Sequence, residues 1–294
     1  VLIPEGSPLF ASLAALARDA RMVFFAGLPG TGKSLLIREL AHLAHARGRR
    51  IHLLQWDVAR PVFEASEAGR PYPQANGITH GLIRLAAGRW ARAAVACWHA
   101  AQAGPEPLLI GETPFIGHRF IDLARPERDA AEPVLAAPFT RFAIPVPSRA
   151  LRRHLEAERE RRTREPVHPR EREDAPPHVL GALWKDVAAA AVALGLVDHA
   201  LSAGSAYDPA VYQGVYERLL GHRHPVVLAI DTRFPVAGVS AYDVRVPAPD
   251  VLPAPDEVAR FIREVEARHA GPADIQREID AWHHVARAPI TPPG

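Results

Sequence analysis

One eight-residue run, Gly27 to Ser34, limits what this chain can fold into more than any other. It reads Gly-Leu-Pro-Gly-Thr-Gly-Lys-Ser. Gly27, Gly32, Lys33 and Ser34 satisfy the pattern G-x-x-x-x-G-K-[ST], set between an apolar run, Val23 to Ala26, and an amphipathic one that begins Leu35-Leu36-Ile37. A strand before and a helix after give the pattern a mechanical meaning. The glycines let the backbone through Leu28, Pro29, Gly30 and Thr31, and on to Leu35, turn its N–H groups toward one anion. A helix starting near Lys33 aims its positive end at the same point. Lys33 is then placed for β- and γ-phosphates, and Ser34 offers a hydroxyl to Mg2+.

Composition supports a special role for Lys33. The 35 cations comprise 33 Arg and only two Lys, Lys33 and Lys185. Arg has displaced Lys almost everywhere, yet Lys stands where a compact point charge suits a phosphate.

The chain has 294 residues, 48% hydrophobic and 23% charged, which fits one large α/β domain over 1–294 with insertions. No apolar run approaches the ~20 residues of a membrane span, and the start lacks the regions of a signal peptide. The single Cys97 cannot form an internal disulfide, so the expectation is a cytoplasmic protein with no membrane partner. A net charge of +2, from 35 cations and 33 anions, is too small to favour nucleic acid as a partner.

In chain order, the periodicity predicts a helix over 7–20 capped by Ser7, a strand over 22–26, and a helix over 33–47. Next come a strand over 51–56 ending in Asp57, a loop over 69–77, and a long helix over 78–103. Strands follow at 107–111 and 139–146, then helices near 149–164, 179–196 and 209–220. A strand at 225–230 and helices near 255–269 and 272–287 complete the pattern. These elements describe a three-layer α/β/α fold with a mainly parallel, five-stranded sheet.

Ligands in open α/β sheets bind beyond the carboxyl ends of the strands, so carboxylates there are candidate site residues. Asp57 is one, with Arg60 three residues on; its simpler role is to cap the following helix. Glu112, closing the strand over 107–111, is the candidate Mg2+ ligand alongside Ser34. Asp231, closing the strand over 225–230, competes for that part.

The layout is similar to that of the P-loop kinases. The stretch Trp-Asp-Val-Ala-Arg-Pro, 56–61, resembles the segment after the second strand in the chloramphenicol phosphotransferase and zeta-toxin groups. The resemblance implies that Asp57 takes a proton from the acceptor hydroxyl and that Arg60 helps place the acceptor. It implies Asp as the usual Mg2+ carboxylate, from which Glu112 departs. It makes residues 58–106 an acceptor-binding insertion, in which Thr79, His80, Arg84 and Arg89 are candidates; solvated helix arginines are the alternative for the last two. It also makes residues 147–178 a lid. Arg152, Arg153 and Arg159 are the candidate lid residues, in a run that reads equally as an exposed helix laced with i,i+4 ion pairs. The loops over 232–249 are candidates for an adenine pocket.

The resulting expectation is an ATP- and Mg2+-dependent phosphotransferase acting on a hydroxyl or phosphate of a small molecule or nucleotide. The alternatives are a nucleotide-dependent regulatory ATPase and a kinase of polynucleotide ends. No N-K-x-D stretch is present, which argues against a GTPase.

Overall fold

The computed structural model describes residues 1–198, 206–234 and 238–285. Its centre is a five-stranded sheet of β1 (Met22–Ala26), β2 (Arg50–Gln55), β3 (Pro107–Thr113), β4 (Thr140–Pro147) and β5 (Pro225–Ile230). The order is β2-β3-β1-β4-β5 and every pairing is parallel, a step beyond the mainly parallel sheet that the sequence predicts. β1 is central, with β2 and β3 on one side and β4 and β5 on the other. The loop after β1 therefore lies where the strand order reverses, which is where open α/β sheets open a crevice for ligands.

Alternation along the strands divides the core between the two faces. Val23 and Phe25 of β1 point to one face with Ile51, Leu53, Leu108 and Ile110; Met22, Phe24 and Ala26 point to the other with Leu54, Leu109 and Phe142. The first face is covered by α1 (Pro8–Asp19) and α2 (Lys33–His45), with Leu151 of α6 (Arg149–Arg164). The second is covered by α3 (Trp56–Ala65), α4 (Gly81–Ala101), α7 (Pro177–Ala193), α8 (Pro209–Leu219), α9 (Pro255–Arg268) and α10 (Pro272–Asp280). A short helix α5 (Glu132–Leu135) and 3-10 turns at Ile116–His118, Ile121–Leu123 and Pro169–Glu173 fill connections that the hydrophobic pattern does not reveal.

Local chemistry explains the element ends. Ser7 accepts from the Phe10 N–H at 3.1 Å, Ser148 from Leu151 at 3.2 Å, and Asp208 from Ala210 and Val211, each starting its helix. Several boundaries differ from expectation. β2 stops at Gln55, so Trp56 and Asp57 already lie in the first turn of α3. α4 starts at Gly81 rather than 78, because His80 accepts from the Leu82 N–H and caps it. β3 continues to Thr113 because its last residues still pair with Phe25 and Ala26, which puts Glu112 inside the strand. The last helix ends at Asp280, and residues 286 and 287 of its expected span lie outside the described residues.

Arginines brace this frame. Arg49 donates to the carbonyls of Ala17 and Ala20 and of Pro107, linking α1, the edge of β2 and the start of β3. Past β5, residues 238–249 run back over α2, where Arg38 donates to the Asp243 carbonyl at 3.1 Å. The chain then meets β2, whose Leu53 bridges to Asp250.

Candidate functional site

The loop between β1 and α2 is closed from within. Thr31 Oγ1 donates to the Leu28 carbonyl at 2.9 Å, and Gly32, in the left-handed region at φ 89°, starts α2 without a side-chain cap. A Cβ at Gly27 would run into the Tyr212 hydroxyl from α8. That hydroxyl is sealed beneath the loop, beside Thr31 and the Leu28 carbonyl, in no regular hydrogen bond. The pattern glycines therefore answer two physical needs here, a left-handed turn at Gly32 and close approach at Gly27.

Lys33 is 4% exposed. Its Nζ donates to the Leu28 carbonyl at 2.9 Å and stands 3.4 Å from Glu112 Oε1. Burial lowers the Lys33 pKa, opposed by the charges of Glu112 and Asp57; burial raises that of Glu112, opposed by Lys33. Each charge is thus held in a poorly solvated place chiefly by the other. β3 is tied to the loop beside them, since Thr113 accepts from the Gly27 N–H at 3.3 Å and donates to the Phe25 carbonyl at 3.2 Å. Ser34 and Leu35 are half-buried on the first turn of α2.

The register of β2 against β3 sets Gln55 opposite Glu112, so Asp57 begins α3 beside the same strand ends. Asp57 is exposed, has no hydrogen-bond or ion-pair partner among the described residues, and acts through space on Lys33, Glu112 and Arg119. Gln55 occupies the N-cap position, which leaves the Asp57 side chain uncommitted. Pro61 within α3 has no N–H for the Asp57 carbonyl. Arg60 forms a 3.4 Å pair with Glu64.

The segment after β4 lies against this group. Arg152 is 2% exposed; its Nη1 donates to the Pro29 carbonyl at 2.7 Å, its Nε to Glu156 at 2.6 Å, and its guanidinium lies 5.4 Å from the Tyr207 ring centre. Arg159 pairs with Asp174 at 2.8 Å and repels the Lys33 charge through space. Arg153 is exposed. The turn at 169–173 is clamped down. Arg170 donates to Gln55 Oε1 at 3.3 Å and lies over Tyr242, the Tyr242 hydroxyl donates to Asp174 at 2.6 Å, and the Ser240 hydroxyl donates to Glu171 at 2.7 Å. Residues 238–249 thus hold the segment after β4 and α2; residues 235–237 lie outside the described residues.

Of the carboxylates weighed for a metal, Glu112 is the one at Lys33. Asp231 is exposed and accepts from Thr232. Thr79 is buried, His80 caps α4 and packs on Tyr72, and Arg89 lies within electrostatic reach of Glu127. Arg84 instead donates to the Gly117 carbonyl at 2.9 Å, in the loop after β3. Arg119 in that loop, together with Asp174 and Tyr242, belongs to the group but escapes sequence reasoning, because no spacing rule singles these residues out. The histidines at 222, 224, 283 and 284 form no metal-binding group among the described residues. Nor is any helix there long and apolar enough to cross a membrane.

Compared with family models, curated proteins and solved structures, the chain matches none of them.

Proposed function

We propose that this protein is an ATP-dependent phosphotransferase of the P-loop kinase kind, moving the γ-phosphoryl group to a hydroxyl or phosphate of a small molecule or nucleotide. The observation that carries this reading is the convergence of Lys33, Glu112, Asp57 and Arg159 at the ends of three parallel strands and the lid. A protein that only reports its nucleotide state has no use for an uncommitted carboxylate beside the phosphate lysine.

The residues suit their parts chemically. A phosphate entering the loop offers Lys33 an anion in place of the Leu28 carbonyl, and the amides that open α2 point the same way. Ser34 and Glu112 provide the hydroxyl and the carboxylate that would hold Mg2+, which supplies charge neutralisation across the β- and γ-phosphates. Asp57 accepts the acceptor's proton, and its exposure leaves it open to an incoming molecule. Arg152, held against the loop, and Arg159, which acts through space on Lys33, supply guanidinium charge for the transferring phosphoryl.

The test measures ATP binding calorimetrically with and without Mg2+, and transfer from γ-labelled ATP to a panel of hydroxyl and phosphate acceptors. Lys33→Ala is expected to reduce transfer by at least about 10³-fold. Asp57→Asn is expected to spare ATP binding and remove most transfer. Steady hydrolysis with no acceptor, unchanged by Asp57→Asn, would instead indicate a regulatory ATPase. Absence of Mg2+-dependent ATP binding sinks the reading altogether.

A further inference from the structure

Beyond Asp57, three arginines from three different elements come together. Arg60 lies on α3, Arg84 on the first turn of α4, and Arg119 in the loop after β3. Arg84 and Arg119 reach the same spot: a Cβ built on Gly117 would lie 3.0 Å from Arg84 Nη1 and 3.1 Å from Arg119 Nη1. Arg60 and Asp57 both act through space on Arg119.

These cations are under-compensated. Among the described residues neither Arg84 nor Arg119 forms an ion pair; each gives one N–H to a loop carbonyl, of Gly117 and Ile116. Arg84 Nε and Arg60 Nε are buried with no partner. The carboxylates that face them are Asp57, Asp186 of α7 and Asp280 of α10, all exposed and beyond ion-pair reach, with Glu64 paired to Arg60. Burial and the Arg119 charge push the Arg84 pKa down to about 10, the signature of cations crowded together in poor solvent.

The loop that presents Arg119 is itself strained. Phe115, His118 and Phe120 have φ of 64°, 66° and 61°, a region that bulky residues rarely enter. Packing holds them there: Phe115 lies against Phe142 and Tyr216, Phe120 against Trp56 and Trp90, and His118 against Glu278. Such strain is retained where a fixed geometry is useful.

We propose that Arg60, Arg84 and Arg119 form a seat for an oxyanion carried by the acceptor, so that the phosphoryl acceptor is an anionic molecule bearing a phosphate or carboxylate group. This rests on the phosphotransferase reading above. Guanidinium forks match both oxyanions in geometry, and an anion here resolves the repulsion between Arg84 and Arg119. Asp57 acts through space on both Lys33 and Arg119, so the reacting group of the same molecule falls beside that carboxylate. The exposed acids at the rim select against anions that fail to reach the arginines.

The probe is inorganic phosphate, titrated calorimetrically at fixed pH and ionic strength, with acetate as the carboxylate arm. The wild-type protein is expected to bind two phosphates, Lys33→Ala one, and Arg119→Gln only the one that depends on Lys33. Two milder changes guard against misfolding. Arg60→Gln breaks a single ion pair, with Glu64, and is expected to weaken the second phosphate about tenfold, whereas Asp186→Asn, at an exposed position, is expected to tighten it several-fold. Acetate displacing the second phosphate at similar concentration assigns a carboxylate acceptor, and no displacement assigns a phosphorylated one. A single phosphate abolished by Lys33→Ala overturns the arginine seat and leaves the kinase reading standing. A single phosphate indifferent to Lys33→Ala but lost in Arg119→Gln keeps the seat and removes the role of the loop. A second phosphate indifferent to both Arg60→Gln and Asp186→Asn also overturns the seat.

Discussion

Arg152 Nη1 donates to the Pro29 carbonyl at 2.7 Å, which ties the helix after the fourth strand to the backbone of the loop after the first. Of the three candidate lid arginines singled out by sequence, this one touches the loop directly. Arg152→Lys keeps a charge but loses the fork that reaches both Pro29 and Glu156. On the phosphotransferase reading, the expected outcome is a fall in kcat of at least about tenfold with little change in ATP affinity. Arg153→Ala, on the exposed side of the same helix, should leave both constants unchanged. A lower melting temperature with unchanged kcat in Arg152→Lys would make Arg152 a brace.

Glu112 and Lys33 depend on each other, 3.4 Å apart and almost wholly buried. Glu112→Gln removes the principal counter-charge of an ammonium whose pKa burial already lowers. A lysine with a depressed pKa keeps its charge at low pH and loses it as pH rises, so on the phosphotransferase reading the variant should lose ATP affinity at a lower pH than the wild type. Binding isotherms across the alkaline range test this. Parallel profiles would show that Asp57, the more distant acid, suffices to keep Lys33 charged. The folded state should also lose about 3 kcal/mol, the usual effect of breaking a buried pair.

Much of this site is legible in the sequence because each legible part follows a local rule. Gly27 to Ser34 is a contiguous pattern, Asp57 and Glu112 follow apolar runs, and the start of α6 is marked by Ser148, so the neighbourhood of each strand end can be placed from spacing, though not the last residue of β2 or β3. Arg84 was within reach because it begins a helix. Arg119 was not, since its position depends on a loop whose left-handed residues are imposed by packing against Phe142, Tyr216 and Trp90 rather than by glycine or proline. The clamp of Tyr242 on Asp174 joins residues 68 positions apart, and no periodicity encodes it. The same limit applies to the arginines. The run over 149–164 reads equally as an exposed helix, yet Arg152 within it is buried and braces the Pro29 carbonyl on another element.

Gly27 and Tyr212 form a steric pair that can be separated experimentally. Gly27→Ala places a methyl group against the Tyr212 hydroxyl and is expected to destabilise the fold by about 2 kcal/mol, from overpacking together with an unfavourable backbone. Tyr212→Phe alone should be nearly neutral, because the hydroxyl makes no regular hydrogen bond. The double variant should recover part of the loss, since the strain at φ 154° remains after the hydroxyl is gone. Additive effects in urea unfolding would mean that the backbone term alone excludes a side chain at residue 27.

Glu132 joins two arginines that approach it from α4 and from the turn before β5. Arg92 Nη2 donates to it at 2.6 Å, and Arg223 donates at 2.6 and 2.9 Å. Burial alone would raise this carboxyl, but the hydrogen bonds from Arg223 and Arg92 outweigh it and hold the pKa at about 2, below the ordinary 4.5. A carboxyl depressed on folding stabilises the protein above its unfolded pKa and stops doing so as pH falls through the folded one. Its contribution should therefore be complete above about pH 4.5 and drain away toward pH 2, on the order of 2 kcal/mol after allowing for its partial exposure. Glu132→Gln should flatten that part of the stability curve, measured by urea unfolding from pH 6 downward. At neutral pH the same change leaves Arg223, whose side chain is fully buried, with only backbone carbonyls as partners, and is expected to cost about 3 kcal/mol. Arg92 retains Asp129, so Arg92→Gln should be less damaging than Arg223→Gln only if Glu132 serves mainly the latter. Equal losses would show that the three side chains act as one network.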